Sequence, residues 1–158
     1  MKAVPSSADT ELRPSADSDL TWLLHRAAQH LRGVTSEQAE RIGLQMREYV
    51  ILGAINAVPN LTQADLGKAI GLDKTTLTSQ LDRLERNGLI ERHLHPRDRR
   101  LRIPVITPAG AALCAEVGEA CAAAEAEILA GFGPDEIRTF RRMLVAVIGE
   151  GEDPGSCL

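Results

Sequence analysis

The stretch from Leu61 to Gly110 constrains the fold more than any other part of the chain. It holds a short helical pattern, a glycine turn, a second helical pattern with one polar face, and two strand-like runs joined by an arginine-rich loop. Two helices separated by about three residues that include a glycine cross steeply, as in a helix-turn-helix and unlike a bundle hairpin. The stretch therefore predicts a helix-turn-helix followed by a β-hairpin wing.

Both helices carry recognisable start and stop signals. Thr62 followed three residues later by Asp65 is a capping-box type of start, in which a hydroxyl accepts a hydrogen bond from an otherwise unpaired amide. Gly71 suits the left-handed backbone that ends a helix, and Asp73 is a favourable N-cap for the second helix. The Asn87-Gly88 pair predicts where that second helix ends.

The second helix has one apolar and one polar face. Leu77, Leu81 and Leu84 share a face at helical spacing and predict burial. Small hydroxyls let a helix enter a major groove and arginines meet phosphates, so the polar face suits a recognition helix. For this helix alone, an ordinary solvated face remains an equal alternative. The residues of the polar face are Thr75, Ser79, Arg83 and Arg86.

The two runs that follow predict a hairpin, Ile90 to Leu94 and Leu101 to Ile106, with Pro104 suited to an edge strand. From Arg92 to Arg102 the chain carries five arginines against one aspartate, a net +4 in a protein whose formal total is −4. Clustered arginines repel one another and a polyanion relieves the repulsion, so the wing predicts phosphate contact.

At the wing tip we expect one arginine, Arg100 in preference to Arg99, to enter a minor groove, where groove width and potential are recognised. We also expect Asp98 to orient that arginine through a salt bridge. Because the arginine-rich wing follows the second helix, we interpret the polar face of that helix as a DNA-recognition surface in preference to an ordinary solvated face.

Several motifs of this stretch occur together: Asp73-Lys74-Thr75-Thr76, Leu81-Asp82-Arg83-Leu84-Glu85 with Asn87-Gly88-Leu89-Ile90, and Pro96-Arg97-Asp98-Arg99-Arg100 with Ile106-Thr107-Pro108-Ala109-Gly110. In these motifs the chain resembles the MarR family of transcriptional regulators. The resemblance is clearest between Leu44 and Leu113, and the flanking helical patterns agree with it in order and length. The sequence departs from the family pattern at Leu101 and at Ser79.

The resemblance implies a mainly α, winged helix-turn-helix protein with dimerisation helices at both ends. It implies a homodimer that binds a pseudopalindromic operator in double-stranded DNA, with recognition helices about 34 to 36 Å apart. Repression that a small ligand relieves is the expected function. The base-edge candidates are Thr75, Thr76 and Ser79; the phosphate candidates are Lys74, Arg83, Thr62 and Gln63; the wing candidates are Arg97, Arg99 and Arg100.

The flanking sequence predicts helices before and after the winged lobe. A first helix from Ser18 is expected to break at Gly33, with a second helical patch from Ser36 to Ile42. Thr107 and Pro108 begin a long alanine-rich helix that cannot bury itself on a small winged lobe, so a partner subunit is expected, with a folded-back monomer as the alternative. The predicted segments are a disordered tail (1–17), N-terminal dimerisation helices (18–43), the DNA-binding lobe (44–106), C-terminal dimerisation helices (107–148) and a flexible tail (149–158).

A small-ligand site is a further hypothesis. In the family that this chain resembles, a cleft between the dimer helices and the winged lobe often takes small aromatic or phenolic anions. The alternative is a packed tryptophan with solvated arginines, which needs no ligand. The candidates are Trp22, His25 and Arg26 on the first helix, and Arg47 and Tyr49 before the helix-turn-helix.

The remaining chemistry of the sequence is sparse. Cys114 and Cys121 are seven residues apart on one helix, too far for a disulfide, and are expected to be buried apolar residues; Cys157 lies in the tail.

The histidines lack the converging ligands that a metal needs, so no metal, cofactor or catalytic site is expected. Neither a run of about 18 apolar residues nor a secretory signal is present, which predicts a cytoplasmic protein without a membrane span.

Two alternatives to a DNA-binding regulator stay open from the sequence. The first is a winged-helix module that binds protein, against which the arginine wing argues. The second is a redox sensor that responds through one of its thiols. Salt dependence of DNA binding tests the first, and alkylation of the three cysteines tests the second.

Overall fold

The computed structural model describes residues 14–149. Within them the chain is mainly α, as the sequence predicts, with a single two-stranded sheet. The predicted tails therefore lie almost entirely outside the described residues. The elements follow the order α1 (Leu20–Ile42), α2 (Met46–Ala57), α3 (Gln63–Ala69), α4 (Lys74–Arg86), β1 (Ile90–Leu94), β2 (Arg102–Ile106), α5 (Pro108–Ile128) and α6 (Pro134–Ile148).

Contacts along the chain divide it into two compact units, one ending at Gly33 and one beginning at Val34. In the first unit the Asp19 carboxylate accepts a hydrogen bond from the Trp22 amide (3.1 Å) at the start of α1. The predicted break at Gly33, with a separate helical patch from Ser36, is wrong, because α1 is helical throughout. A glycine inside a helix costs only about 1 kcal/mol relative to alanine, which is too little to end a long helix by itself.

The helix ends in the winged lobe confirm the predicted caps. The Thr62 hydroxyl accepts from the Asp65 amide (3.2 Å), and Asp73 Oδ1 accepts from the amides of Thr75 and Thr76 (2.9 and 3.0 Å). Gly71 between these helices has the expected positive φ of 65°. Each cap satisfies amides that the helix itself leaves unpaired, so the positions of α3 and α4 follow from local sequence.

The core of the second unit lies where α2, α4 and α5 meet the base of the hairpin. The α2 helix packs against α5 and β2, and α4 packs against β1. Aliphatic side chains dominate the core, as expected from a chain with few aromatic residues. Its largest fully buried aliphatic side chains are Leu44, Ile51, Leu52, Leu66, Leu81, Leu84, Ile90 and Val117.

The hairpin is antiparallel, with Ile90 opposite Ile106 and Leu94 opposite Arg102. The second strand begins one residue later than predicted, because the Leu101 amide donates to the carbonyl of Asp98 (3.0 Å) within the connecting turn. Pro104 tolerates its position because a two-stranded ribbon leaves each strand one edge without a ladder.

The last helix, α6, contains no buried residue. It is linked to α5 by an ion pair between Arg141 and Glu125 (3.0 Å). Phe140, Met143 and Ile148 on α6 are 43%, 58% and 77% exposed, which is a large apolar exposure for one helix. Within residues 14–149 no helix combines the length and the hydrophobicity that crossing a bilayer requires.

Candidate nucleic-acid interface

The helix α4 presents a polar face to solvent. Leu77, Leu81 and Leu84 turn into the core and are at most 2% exposed, so the opposite face of the helix points outward. After Lys74, the first residue of α4, the hydroxyl side chains of Thr75 and Ser79 precede Arg86 in the last turn. The exposed residues on this side are Lys74, Thr75, Ser79 and Arg86.

The hydroxyls of α4 divide into two groups. Thr76 donates its hydroxyl hydrogen to Asp73 Oδ2 (2.6 Å), and this hydrogen bond is the main reason that the pKa of Asp73 lies below its usual value. Thr78 donates to the carbonyl of Lys74 (2.7 Å). These two hydroxyls therefore support the start of the helix, whereas Thr75 and Ser79 are exposed.

A groove of about 700 Å³ separates the start of the helix-turn-helix from the wing. The structure brings four of the predicted contact residues to this groove: Thr62, Gln63, Lys74 and Arg100. The Gln63 amide also donates to the Thr78 hydroxyl (3.1 Å), so Gln63 ties α3 to α4. One surface thus combines the exposed helix start with a wing arginine.

Arg83 has an internal partner that the sequence analysis missed. Its Nε lies 2.9 Å from Oε1 of Glu48, whose side chain is 1% exposed, while the Arg83 side chain is 42% exposed. The other Glu48 oxygen accepts from the Gln45 amide (2.8 Å) and caps α2. Arg83 therefore balances a buried charge and still reaches the surface. The spacing of Gln45 and Glu48, which is that of a capping box, indicates the cap of α2 but not the pairing with Arg83.

Arg92 also differs from the prediction, which counted it with the charge of the wing. It forms an ion pair with Asp82 (2.7 Å) and another with Glu85, to which its Nε donates (2.9 Å). The hydrogen bond with Glu85 raises the pKa of Arg92, and it lowers the pKa of the Glu85 carboxyl. Arg92 therefore fastens β1 to α4, and the exposed charge of the loop rests on Arg97, Arg99 and Arg100.

This ion pair predicts a pH dependence of stability. The folded-state pKa of Glu85 lies below its usual value of 4.5, so the pair stabilises the fold above that pH and the contribution is lost as pH falls through the lowered pKa. Glu85→Gln should therefore unfold more easily than the wild type at pH 7 and lose less stability between pH 5 and pH 3. Urea unfolding at each pH measures this, and parallel curves for both proteins would contradict it.

The predicted salt bridge from Asp98 to a tip arginine is wrong. Asp98 Oδ1 instead accepts a hydrogen bond from the backbone amide of Arg100 (2.9 Å), and within residues 14–149 Asp98 takes part in no ion pair. A short carboxylate in a turn commonly bonds the amide two residues onward, which competes with side-chain pairing. Asp98 therefore shapes the loop backbone that carries the arginine.

The ligand-site candidates fall in different units. In the first unit the Arg26 guanidinium lies 6.0 Å from the centroid of the half-buried Trp22 ring, and His25 is exposed. In the second unit Arg47 is half-buried on α2. Tyr49 packs at the edge of the core, where its hydroxyl lies 3.3 Å from the position of a Cβ at Gly118. Burial is the main cause that raises the pKa of Tyr49.

The prediction that both cysteines are buried holds for Cys121, which lies in the core, whereas Cys114 is partly buried against it. Cys121 is buried and its thiol donates to the carbonyl of Thr35 (3.6 Å), while Cys114 is half-buried. Burial raises the pKa of both thiols, which disfavours the reactive thiolate. Cys157 lies outside the described residues. Among residues 14–149 no three metal-ligating side chains come together.

Comparison with known proteins gives one family match and several similar solved structures. Residues 42–101 match the model of the MarR family. Wild-type apo MarR from E. coli shares 26% identity with a TM-score of 0.73, covering 82% of this chain and 97% of that one. A mutant MarR from E. coli complexed with operator DNA gives 26% identity and a TM-score of 0.71, covering 82% and 99%.

A third solved structure shares the fold. CouR from Rhodococcus jostii, solved with bound p-coumaroyl-CoA, is 24% identical with a TM-score of 0.72, and the match covers 88% of this chain and 98% of that one. The winged segment therefore matches the MarR family model, and the arrangement of helices is that of the solved MarR structures.

Proposed function

We propose that the chain is a homodimeric, sequence-specific DNA-binding transcriptional regulator, and that it is a repressor released by a small aromatic or phenolic ligand. The observation that carries the proposal is the common groove of Lys74 at the start of α4 and Arg100 on the wing. A helix start and a cationic hairpin on one surface can contact base edges and the flanking phosphates of one duplex.

In this proposal α4 enters a major groove. Thr75 and Ser79, exposed on its outer face, contact base edges directly. Thr76 lies at the same end of the helix, where its hydroxyl is bonded to Asp73 (2.6 Å) and leaves its methyl group for apolar contact. The phosphate contacts are Lys74, Arg83, Thr62 and Gln63, and the wing contacts are Arg97, Arg99 and Arg100.

Dimerisation is proposed from the unburied apolar surface of α6. Phe132, just before this helix, is 58% exposed and adds to the apolar side chains of α6 itself. A second copy would remove that surface from water and place two recognition helices about one DNA turn apart. The helices of segments 18–43 and 107–148 form the dimer in this proposal, around the DNA-binding lobes of residues 44–106. Sedimentation of the purified chain tests it, with a monomer at micromolar concentration as the contrary result.

The ligand part of the proposal concerns Trp22, His25, Arg26, Arg47 and Tyr49. A phenolic carboxylate offers an aromatic ring for stacking and a negative charge for the arginines. Trp22 is the single tryptophan, so its fluorescence reports binding at the first helix. A panel of phenolic acids and their thioesters should include one that changes this fluorescence and releases bound DNA. If the ligand released DNA from Trp22→Phe as well as from the wild type, the ligand site would not include Trp22.

Alternatives of other classes give different results in the same assays. A protein-binding winged helix would show DNA affinity that is insensitive to salt, and a thiol sensor would lose its response after alkylation. Burial raises the pKa of the half-buried Cys114 thiol and of the buried Cys121 thiol, which argues against a redox sensor that works through either residue. A regulator of this kind acts on DNA in the cytoplasm, without a cofactor.

The wing contact gives a quantitative prediction. Arg100→Ala should weaken DNA binding by about 1 to 3 kcal/mol and lower the slope of log affinity against log salt by about 1, since one phosphate-neutralising charge is lost. Fluorescence anisotropy over a series of salt concentrations measures both quantities. The matched control is Arg41→Ala, because Arg41 is an exposed arginine of α1 paired with Glu37 (2.5 Å). An unchanged slope for Arg100→Ala would remove this residue from the interface.

A further inference from the structure

The loop of the wing is folded around a histidine. Nδ1 of His95 accepts hydrogen bonds from the backbone amides of Arg97 and Asp98, both at 3.2 Å. The His95 amide donates to the carbonyl of Leu101 (3.2 Å), which closes the loop at its base. His95 is half-buried, whereas the residues from Pro96 to Arg100 are exposed. The side chain of His95 is therefore a principal anchor of the segment that carries the wing arginines.

These contacts define the proton state of the ring. A neutral imidazole accepts through one nitrogen and donates through the other, and the accepting nitrogen here is Nδ1. The hydrogen of the neutral ring therefore resides on Nε2. A proton added to Nδ1 would occupy the lone pair that now receives two amides, and the loop would lose both bonds.

We propose that neutral His95 is the positioning residue of the wing, and that its protonation releases the loop and weakens the contact of Arg97, Arg99 and Arg100 with DNA. The proposal rests on the proposed DNA-binding function and adds a regulatory property to it. Histidine is the side chain that ordinarily changes charge between pH 5 and 8, so mild acidification is the signal.

Charged neighbours bear on this proton equilibrium. A carboxylate favours a protonated histidine, and arginines disfavour it. Asp98 is already engaged with the Arg100 amide (2.9 Å), and Glu91 is engaged with the ring of His93 (2.9 Å). The phosphates of bound DNA would favour the charged ring. The measurement must therefore distinguish the effect of the added positive charge from the effect of losing the two hydrogen bonds to Nδ1. The other charged or titratable groups of the hairpin are Glu91, Arg92 and His93 on β1, Arg97, Asp98, Arg99 and Arg100 in the loop, and Arg102 on β2.

The first experiment uses the free protein and does not depend on DNA. Long-range ¹H–¹⁵N spectra of the imidazoles at pH 8 should show His95 with its hydrogen on Nε2. As pH falls to 5, the amides of Arg97 and Asp98 should shift and exchange faster with the same midpoint as the His95 ring. A hydrogen on Nδ1 at pH 8, or loop amides that do not follow the ring, would overturn the proposal.

The second experiment compares DNA affinity for the wild type and for His95→Asn. Asparagine accepts backbone amides two and three residues onward without titrating in this range. The two proteins should bind equally at pH 8, and the wild type should bind about three- to tenfold more weakly than the variant at pH 5.5, the range expected for one lost hydrogen-bonded anchor. His95→Leu, which offers no acceptor, should bind more weakly at both values.

His93→Gln is the matched control, because the His93 side chain lies in the same hairpin and, in the described structure, bonds the Glu91 side chain and no loop amide. Like the wild type, the His93→Gln variant should bind DNA more weakly than His95→Asn at pH 5.5. If the wild type bound DNA as tightly as His95→Asn at pH 5.5, or more tightly, the added positive charge would offset the loss of the two loop hydrogen bonds. That result would overturn the proposal. Absence of DNA binding at any pH would instead refute the proposed function, while the spectra would still decide the role of His95 in the loop.

Discussion

Gly110→Ala is expected to destabilise the protein by at least about 2 kcal/mol, the effect of forcing an extra methyl group into closely packed structure. A Cβ at this position would lie 2.1 Å from the carbonyl oxygen and 2.9 Å from the carbonyl carbon of Leu89. Both are backbone atoms, and the same carbonyl accepts the Thr107 amide (3.0 Å). The start of α5 would have to move away from the wing, so the helix-forming advantage of alanine would be outweighed.

Urea unfolding measures this loss, and Gly33→Ala is the matched control. Gly33 also lies inside a helix, but a Cβ there meets nothing within 4 Å. This second substitution should leave stability unchanged or raise it by about 0.5 to 1 kcal/mol through helix propensity alone. If Gly110→Ala proved as stable as the wild type, the close contact between α5 and Leu89 would be refuted.

Arg83→Met should cost about 2 kcal/mol of unfolding free energy. The substitution removes the positive partner of Glu48, whose carboxylate is 1% exposed, and an unpaired buried charge is strongly unfavourable. The estimate is below the usual range for a fully buried pair because the Arg83 side chain is 42% exposed, so solvent already screens part of the interaction.

A double-mutant cycle distinguishes this cause from the loss of packing. Glu48→Gln keeps the shape of the side chain and an oxygen that can accept from the Gln45 amide, but it removes the charge. The double variant Arg83→Met with Glu48→Gln should recover a large part of the stability that Arg83→Met loses. Additive losses in the two single variants would show that the ion pair contributes nothing.

The parts of the fold that the sequence predicted correctly depend on local interactions. Thr62, Asp73 and Thr107 each cap a helix through the amide of a residue two or three positions onward. Gly71 takes a positive φ because the turn needs it. Such interactions are contained within a few residues, so the sequence pattern alone is enough to identify them.

The errors and omissions concern side chains whose partners are distant in sequence or chemically interchangeable. Arg92 and Arg100 are identical in chemistry, yet Arg92 neutralises Asp82 and Glu85 on α4 while Arg100 is exposed. Arg83 pairs with Glu48 from another helix. Only tertiary packing decides which arginine meets a carboxylate and which remains available for phosphate, so a count of charges overestimated the available positive charge.

The loop of the wing shows the same limit at short range. Asp98 can bond either a guanidinium or a backbone amide, and the turn geometry selects the Arg100 amide (2.9 Å). His95 has no helical or metal-binding pattern, and its role appears only when the amides of Arg97 and Asp98 converge on Nδ1. Backbone conformation, which residue identity alone does not specify in a seven-residue loop, determines both contacts.

Selection of bound fragments from a random duplex library, followed by measurement of the mass of the complex, tests the central proposal most directly. A two-fold dimer should select an inverted repeat whose half-sites are centred about 10 to 10.5 base pairs apart, with two chains bound to each repeat. Affinity should also fall steeply as salt rises. Recovery of fragments without two-fold symmetry, or one chain per duplex at saturation, would refute the proposed dimeric DNA binding.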